Sequence, residues 1–180
     1  MSAGLQRLAA ALVIALACLP AAAADGWEKF FVPTLGDLRA EAADAKAAGK
    51  RGLMLMLHFD ACPFCKRMKD EVLHRPEVQR HFQKHFASVA IDTRGDLPIT
   101  GFDGRTLPEK EFARSLGIRG TPSFLFFAPD GTRLYVHAGG LFDPADFMLL
   151  ADYVASGAYR GGSFAAYIQA SKQNKPKRGS

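Results

Sequence analysis

Cysteine is scarce, three residues in 180, and there is a single tryptophan; so few sulfurs exclude a small fold stapled by several disulfides. No apolar run reaches the roughly 20 residues that a membrane-spanning helix needs, since Leu8 to Leu19 falls short. There is no internal repeat, and 17 glycines with 10 prolines are too few for a collagen-like or low-complexity chain. A usable excess of charge is missing as well. The formal net charge is +5, but Arg7 lies in the N-terminal segment and Lys172, Lys175, Lys177 and Arg178 lie at the other end. Without those five the basic residues only balance the 18 acidic ones, so the bulk of the chain offers no electrostatic footing for nucleic acid. Residues 171–180 read as a basic flexible tail. What remains is a chain that is 48% hydrophobic, of a length that suits one domain with a sizeable core.

Residues 1–24 carry one charge, Arg7, then the apolar run, then Pro20 and alanines to Ala24. This is the layout of a secretory signal peptide cleaved before Asp25, and it predicts export to the periplasm. Leu16-Ala17-Cys18 partly resembles a lipoprotein site, but Ala15 stands where a larger aliphatic is usual. Cleavage removes Cys18 and leaves Cys62 and Cys65.

Residues 25–51 form a helical lead-in, with a helix over 34–49 capped by Thr34 and stopped by Gly49. Trp27, Phe30 and Phe31 read as packing residues of that lead-in. Leu53 to Phe59 is a short, nearly unbroken apolar run, as expected of a strand buried on both faces. From Cys62 to Leu73 the apolar residues recur at helical spacing, with Pro63 in the first turn where its missing N–H costs nothing. A further helix from Pro76 to His85 and a strand from Ser88 to Thr93 complete a strand–helices–strand unit, which predicts a right-handed crossover between parallel strands. Residues 94–107 read as a loop and 108–116 as a short helix. Ser123 to Ala128 and Arg133 to His137, joined by Pro129-Asp130-Gly131, predict an antiparallel hairpin. Helices from Asp143-Pro144 to about Ser156 and from Phe164 to Ala170 follow. Residues 52–170 make up one domain.

Cys62 and Cys65 stand where a buried strand gives way to a helix, a placement that points to dithiol redox chemistry. Backbone N–H groups at a helix start favour a thiolate, and thiols in such settings fall from about 8.5 to roughly 3.5–7.5. Cys62 is therefore the candidate nucleophile. Cys65, on the same side as Met68 and Val72, lies deeper and is the candidate resolving thiol. A structural disulfide would constrain little over so short a loop. Zinc wants four ligands, and the mature chain has one cysteine pair; no metal is assigned, and no cofactor. His81 and His85, spaced i, i+4, could ligate a metal but read first as a solvated helix face. Thr121-Pro122 precedes a strand, and a cis bond there would offer the Thr121 backbone to an extended substrate by strand addition. Phe64, between the cysteines, is expected to be exposed and to meet the partner protein. His58 reads as a hydrogen-bonded interior histidine.

These residues resemble the thioredoxin family. Cys62-Pro63-Phe64-Cys65 matches its active-site motif and Thr121-Pro122 its cis-proline loop, over roughly Gly52 to Ser156. More closely, Cys62-Pro63-Phe64-Cys65-Lys66, Pro76-Glu77-Val78-Gln79, Phe102-Asp103-Gly104, Gly120-Thr121-Pro122 with Phe126-Phe127, Asp130-Gly131 and the stretch from Gly157-Ala158-Tyr159 to Phe164 resemble periplasmic SoxW-type thioredoxins. The resemblance implies an α/β thioredoxin fold, a central mixed sheet flanked by helices in a single domain. It also implies reduction of exported protein disulfides, among them those of sulfur-oxidation proteins, with electrons from a membrane electron-donor protein. Pro63, Phe64, Thr121 and Pro122 would then contact substrate. The family's buried aspartate before the first cysteine is replaced by Met56 and its tryptophan by Ala61. His58, Asp60 or a water is left to take the Cys65 proton. Oxidation or isomerisation of disulfides, and a non-catalytic metal- or peptide-binding role, are the alternatives.

Overall fold

The computed structural model describes residues 26–174. The proposed leader, its cleavage site and Cys18 lie outside them, as does the end of the tail. Four strands form the main sheet: β1 (Gly52–His58), β2 (Phe86–Asp92), β5 (Ser123–Phe127) and β6 (Arg133–Ala138), in the order β2-β1-β5-β6. β1 runs parallel to β2 and antiparallel to β5, which pairs antiparallel with β6. The apolar run of β1 is explained by this central position, for all seven of its residues are buried. Side chains alternate across a strand, so Met54 and Met56 join Phe124 and Phe126 on one face, while Leu53, Leu55 and Leu57 join Leu125 and Phe127 on the other.

Each face is covered by helices. On the first lie α2 (Pro63–Met68), α3 (Pro76–His85), α5 (Pro144–Ala155) and α6 (Phe164–Gln173), with Phe82 stacked on Phe147 at 4.4 Å between ring centroids. On the second lie α1 (Leu38–Ala47), through Leu38, Ala42 and Ala45, and α4 (Glu109–Ser115), through Phe112 and Ala113. The lead-in thus packs into the same core. Phe30 is buried on the first face with Trp27 and Phe31 against it, as expected of packing residues, and Val32 N–H donates to Ser88 O on the outer edge of β2.

Several boundaries differ from the sequence reading. α1 begins at Leu38 because Asp37, not Thr34, accepts from the first free N–H groups, those of Arg39 and Ala40. Thr34 Oγ1 instead accepts from Gly36 N–H in a tight turn. Residues 94–107 are not all loop: β3 (Pro98–Thr100) and β4 (Thr106–Pro108) form a small antiparallel pair. The helix after Cys62 changes at Lys69 into a wide turn over Lys69–Leu73, where His74 N–H donates to Lys69 O five residues back. Lys172 belongs not to a free tail but to α6, its Nζ 3.0 Å from Asp146 Oδ2. Among the described residues no helix is long and apolar enough to cross a membrane.

Candidate active site

β1 delivers the chain to Cys62, which caps α2. Its backbone is extended, Pro63 follows at the first helical position, and its Sγ accepts the Cys65 N–H at 3.2 Å. A sulfur thus occupies the place usually taken by a serine or aspartate oxygen. Cys62 and Cys65 form a disulfide with Cα atoms 5.2 Å apart, inside the range such a bond requires.

The loop before β5 meets this sulfur from the other side. The Thr121–Pro122 bond is cis, as expected. Thr121 Oγ1 donates to Cys62 Sγ at 3.3 Å, and Thr121 O lies 3.6 Å from the same atom. Among the described residues neither Thr121 N–H nor Thr121 O makes a backbone hydrogen bond. Pro122 is buried, and its carbonyl accepts from Gly139 N–H at 2.9 Å, which fixes the loop against the end of β6.

Cys65 is deeper than Cys62, but only slightly: the two are 1% and 3% exposed. Asp60, Ala61, Pro63 and Phe64 are exposed and form a rim around the pair. Phe64 is 60% exposed, as expected. Phe142 was not singled out by the sequence, and it packs 6.2 Å from Phe64 between ring centroids with the Arg67 guanidinium 4.0 Å above its own ring. Gly140 permits this fold-back, since a Cβ there would lie 2.3 Å from the Phe142 ring. The Gly139-Gly140 pair ahead of an aromatic was the available signal.

His58, at the end of β1, does not fit the expectation of a hydrogen-bonded interior histidine. It is buried, and its Nδ1 has no partner among the described residues. Burial holds its pKa below the ordinary value, and the Lys69 charge adds to this while Asp92 and Asp60 oppose it. Asp60 is exposed, and Met56 fills the deep position with an apolar side chain. The buried carboxylate at this end of the sheet is one the sequence reading overlooked, Glu109. Its Oε1 accepts from the N–H of Asp92, the register partner of His58, and burial pushes its pKa up.

His81 and His85 are likewise not a solvated face. Both rings turn toward Asp152 of α5, with His81 Nε2 2.8 Å and His85 Nε2 3.5 Å from its Oδ1.

A family model described as a thioredoxin-like domain matches residues 38–155. Among solved structures the chain is similar to a thioredoxin-fold protein from Helicobacter pylori, with 16% identity, a TM-score of 0.62, and coverage of 82% of this chain and 95% of that one. It is also similar to a thioredoxin from Thermus thermophilus, with 25% identity, a TM-score of 0.52, and coverage of 68% and 88%. Comparison with curated proteins gives no match.

Proposed function

The chain belongs to the thioredoxin-like domain family, and on that premise we propose that it is an exported thiol:disulfide oxidoreductase that reduces protein disulfides through Cys62 and Cys65. The observation that carries this reading is the convergence on one sulfur: Cys62 Sγ receives the Cys65 N–H and the Thr121 hydroxyl beside the cis-proline loop. Both donors favour sulfur carrying negative charge.

In the reduced protein the Cys62 thiolate attacks one sulfur of a substrate disulfide. A Cys62–substrate disulfide forms and the other substrate sulfur leaves as a thiolate. Cys65 then gives up its proton and attacks Cys62 Sγ, releasing the second substrate thiol and leaving the Cys62–Cys65 disulfide. Two electrons pass to the substrate, and a dithiol partner restores the pair. Phe64 and the Thr121 backbone would seat the substrate, with Pro63 and Pro122 shaping the contact. His58 and Asp60 are the candidates for the Cys65 proton.

Export rests on the leader pattern of residues 1–24. The reducing direction is supported by Phe64, an apolar residue where a cation would stabilise the thiolate and make the pair more oxidising. The SoxW-like segments favour exported sulfur-oxidation proteins as substrates and a membrane dithiol protein as electron donor.

Reduction of insulin in the presence of dithiothreitol tests the activity: the protein accelerates it and Cys62→Ser abolishes the acceleration. Equilibration with glutathione tests the direction. A potential closer to about −270 mV than to about −120 mV supports the reductase, and one near the latter value makes the protein an oxidant.

A further inference from the structure

α3 and α5 pack through Phe82 and Phe147, but farther along the same helices the contact turns polar. His81 and His85 stand one turn apart on α3, and Asp152 faces them from α5. One ligand atom from each lies within 4.8 Å of the other two. The side chains are half-buried, 25%, 32% and 34% exposed, so solvent reaches the donors without flooding them. Asp152 lies where two surface clefts meet, one holding His81 and Lys172 and the other His85 and Arg51.

A simple ion pair accounts for only part of this. His81 and Asp152 satisfy one another with a hydrogen bond, yet His85 points its own Nε2 at the same oxygen and, among the described residues, its ring makes no hydrogen bond. Two imidazole nitrogens and a carboxylate converging on one point are the donor set of a borderline divalent ion. Bonds of about 2 Å in a tetrahedron place ligand atoms roughly 3.3 Å apart. The two histidine–carboxylate separations, 2.8 and 3.5 Å, fall on either side of that value, and all three ligand atoms lie within 4.8 Å of one another, so small side-chain rotations of both imidazoles and the carboxylate would close the set. Of the nearby cations Lys172 is paired with Asp146, whereas Arg51, whose Nε donates to the neutral Ala155 O, keeps its charge beside His85. Lys84 lines the same second cleft, so Lys84 and Arg51 are the charges that oppose a bound cation there.

We propose that His81, His85 and Asp152 bind a divalent transition-metal ion of the zinc class, with three protein donors and one position left to water. The bound ion would tie α3 to α5, two of the helices that cover one face of the sheet. It is separate from the cysteine pair and independent of the redox reading.

The test uses the full chain without an affinity tag, in its disulfide form and with any free thiol alkylated, so that sulfur is withheld. Calorimetric titration with Zn2+ is expected to show one equivalent bound, with an upward shift of several degrees in the thermal midpoint. Co2+ is expected to give visible ligand-field bands without sulfur charge transfer. His85→Gln, which removes a side chain with no hydrogen bond of its own, should weaken binding by more than about tenfold with an unchanged circular dichroism spectrum, and Asp152→Asn should weaken it too. Cys62→Ser/Cys65→Ser should bind as the parent does. Absence of Zn2+ binding at micromolar concentrations, or binding that survives both His85→Gln and Asp152→Asn, overturns the proposal.

Discussion

At Cys62 the same residue ends a strand run, caps a helix and carries the chemistry. Its Sγ takes the Cys65 N–H because a capping side chain must, and a thiolate profits more from that donor than a neutral thiol does. Thr121→Val keeps the shape of the side chain and removes its hydroxyl donor, so the Cys62 thiolate should form at higher pH. The pH dependence of iodoacetamide reaction with the reduced protein measures this, and an unchanged profile would mean the hydroxyl is idle. His58 supplies a second expectation. Burial lowers its folded pKa below the unfolded value of about 6.5. Below that pH the unfolded chain therefore binds more protons. The stability from neutral His58 is present above about 6.5 and is lost as pH falls toward the folded value. Urea midpoints measured from neutral to mildly acidic pH should fall, and His58→Phe should flatten part of that fall. His137, also lowered by burial, adds to the fall, while Glu109, whose pKa burial raises, opposes it. The cysteine pair was legible at this scale because its spacing is a local pattern. The missing partner of His58 Nδ1 and the approach of Phe142 were not, since both depend on what other segments bring near them.

Elements were legible where their signals are local. Asp143 followed by Pro144 marks the start of α5, and Asp143 Oδ1 accepts from Ala145 and Asp146 N–H groups at 2.8 and 3.4 Å. Asp143→Ala should cost about 1 kcal/mol of stability, read as a lowered urea midpoint with an unchanged slope. The start of α1 was misplaced for a reason of the same kind. Thr34 and Asp37 are both capping residue types, and what decides between them is distant: Gly36 O accepts from Thr100 N–H of β3. β3 and β4, three residues each, are too short for a period-2 pattern to register. The histidines of α3 show the opposite limit, since helical spacing puts them on one face and cannot say that α5 covers it.

In the whole molecule two packed faces hold one sheet, and the site sits where β1 leaves it. The alternation of β1 and β5 across the sheet accounts for both faces at once; runs of residues predict the parallel crossover and the hairpin, while the mixed sheet that joins them is what the family resemblance implies. Phe147 is fully buried and packs on Phe30, Phe82 and Phe124. Phe147→Ala should cost about 3–5 kcal/mol, and equilibrium unfolding checks it. Turn and core also depend on each other. Gly131 has φ 84°, and a Cβ there would lie 2.7 Å from the Phe102 ring. Gly131→Ala should therefore destabilise by more than the 1–2 kcal/mol or so of a left-handed alanine.

The central claim is that Cys62 attacks and Cys65 resolves. The most direct measurement is intact-mass analysis of Cys65→Ser after reduction and incubation with a disulfide-bonded peptide. A stable adduct of one peptide thiol on Cys62, absent from the Cys62→Ser protein, is the result expected. No adduct on Cys65→Ser, or an equal adduct on Cys62→Ser carried by Cys65, would contradict it.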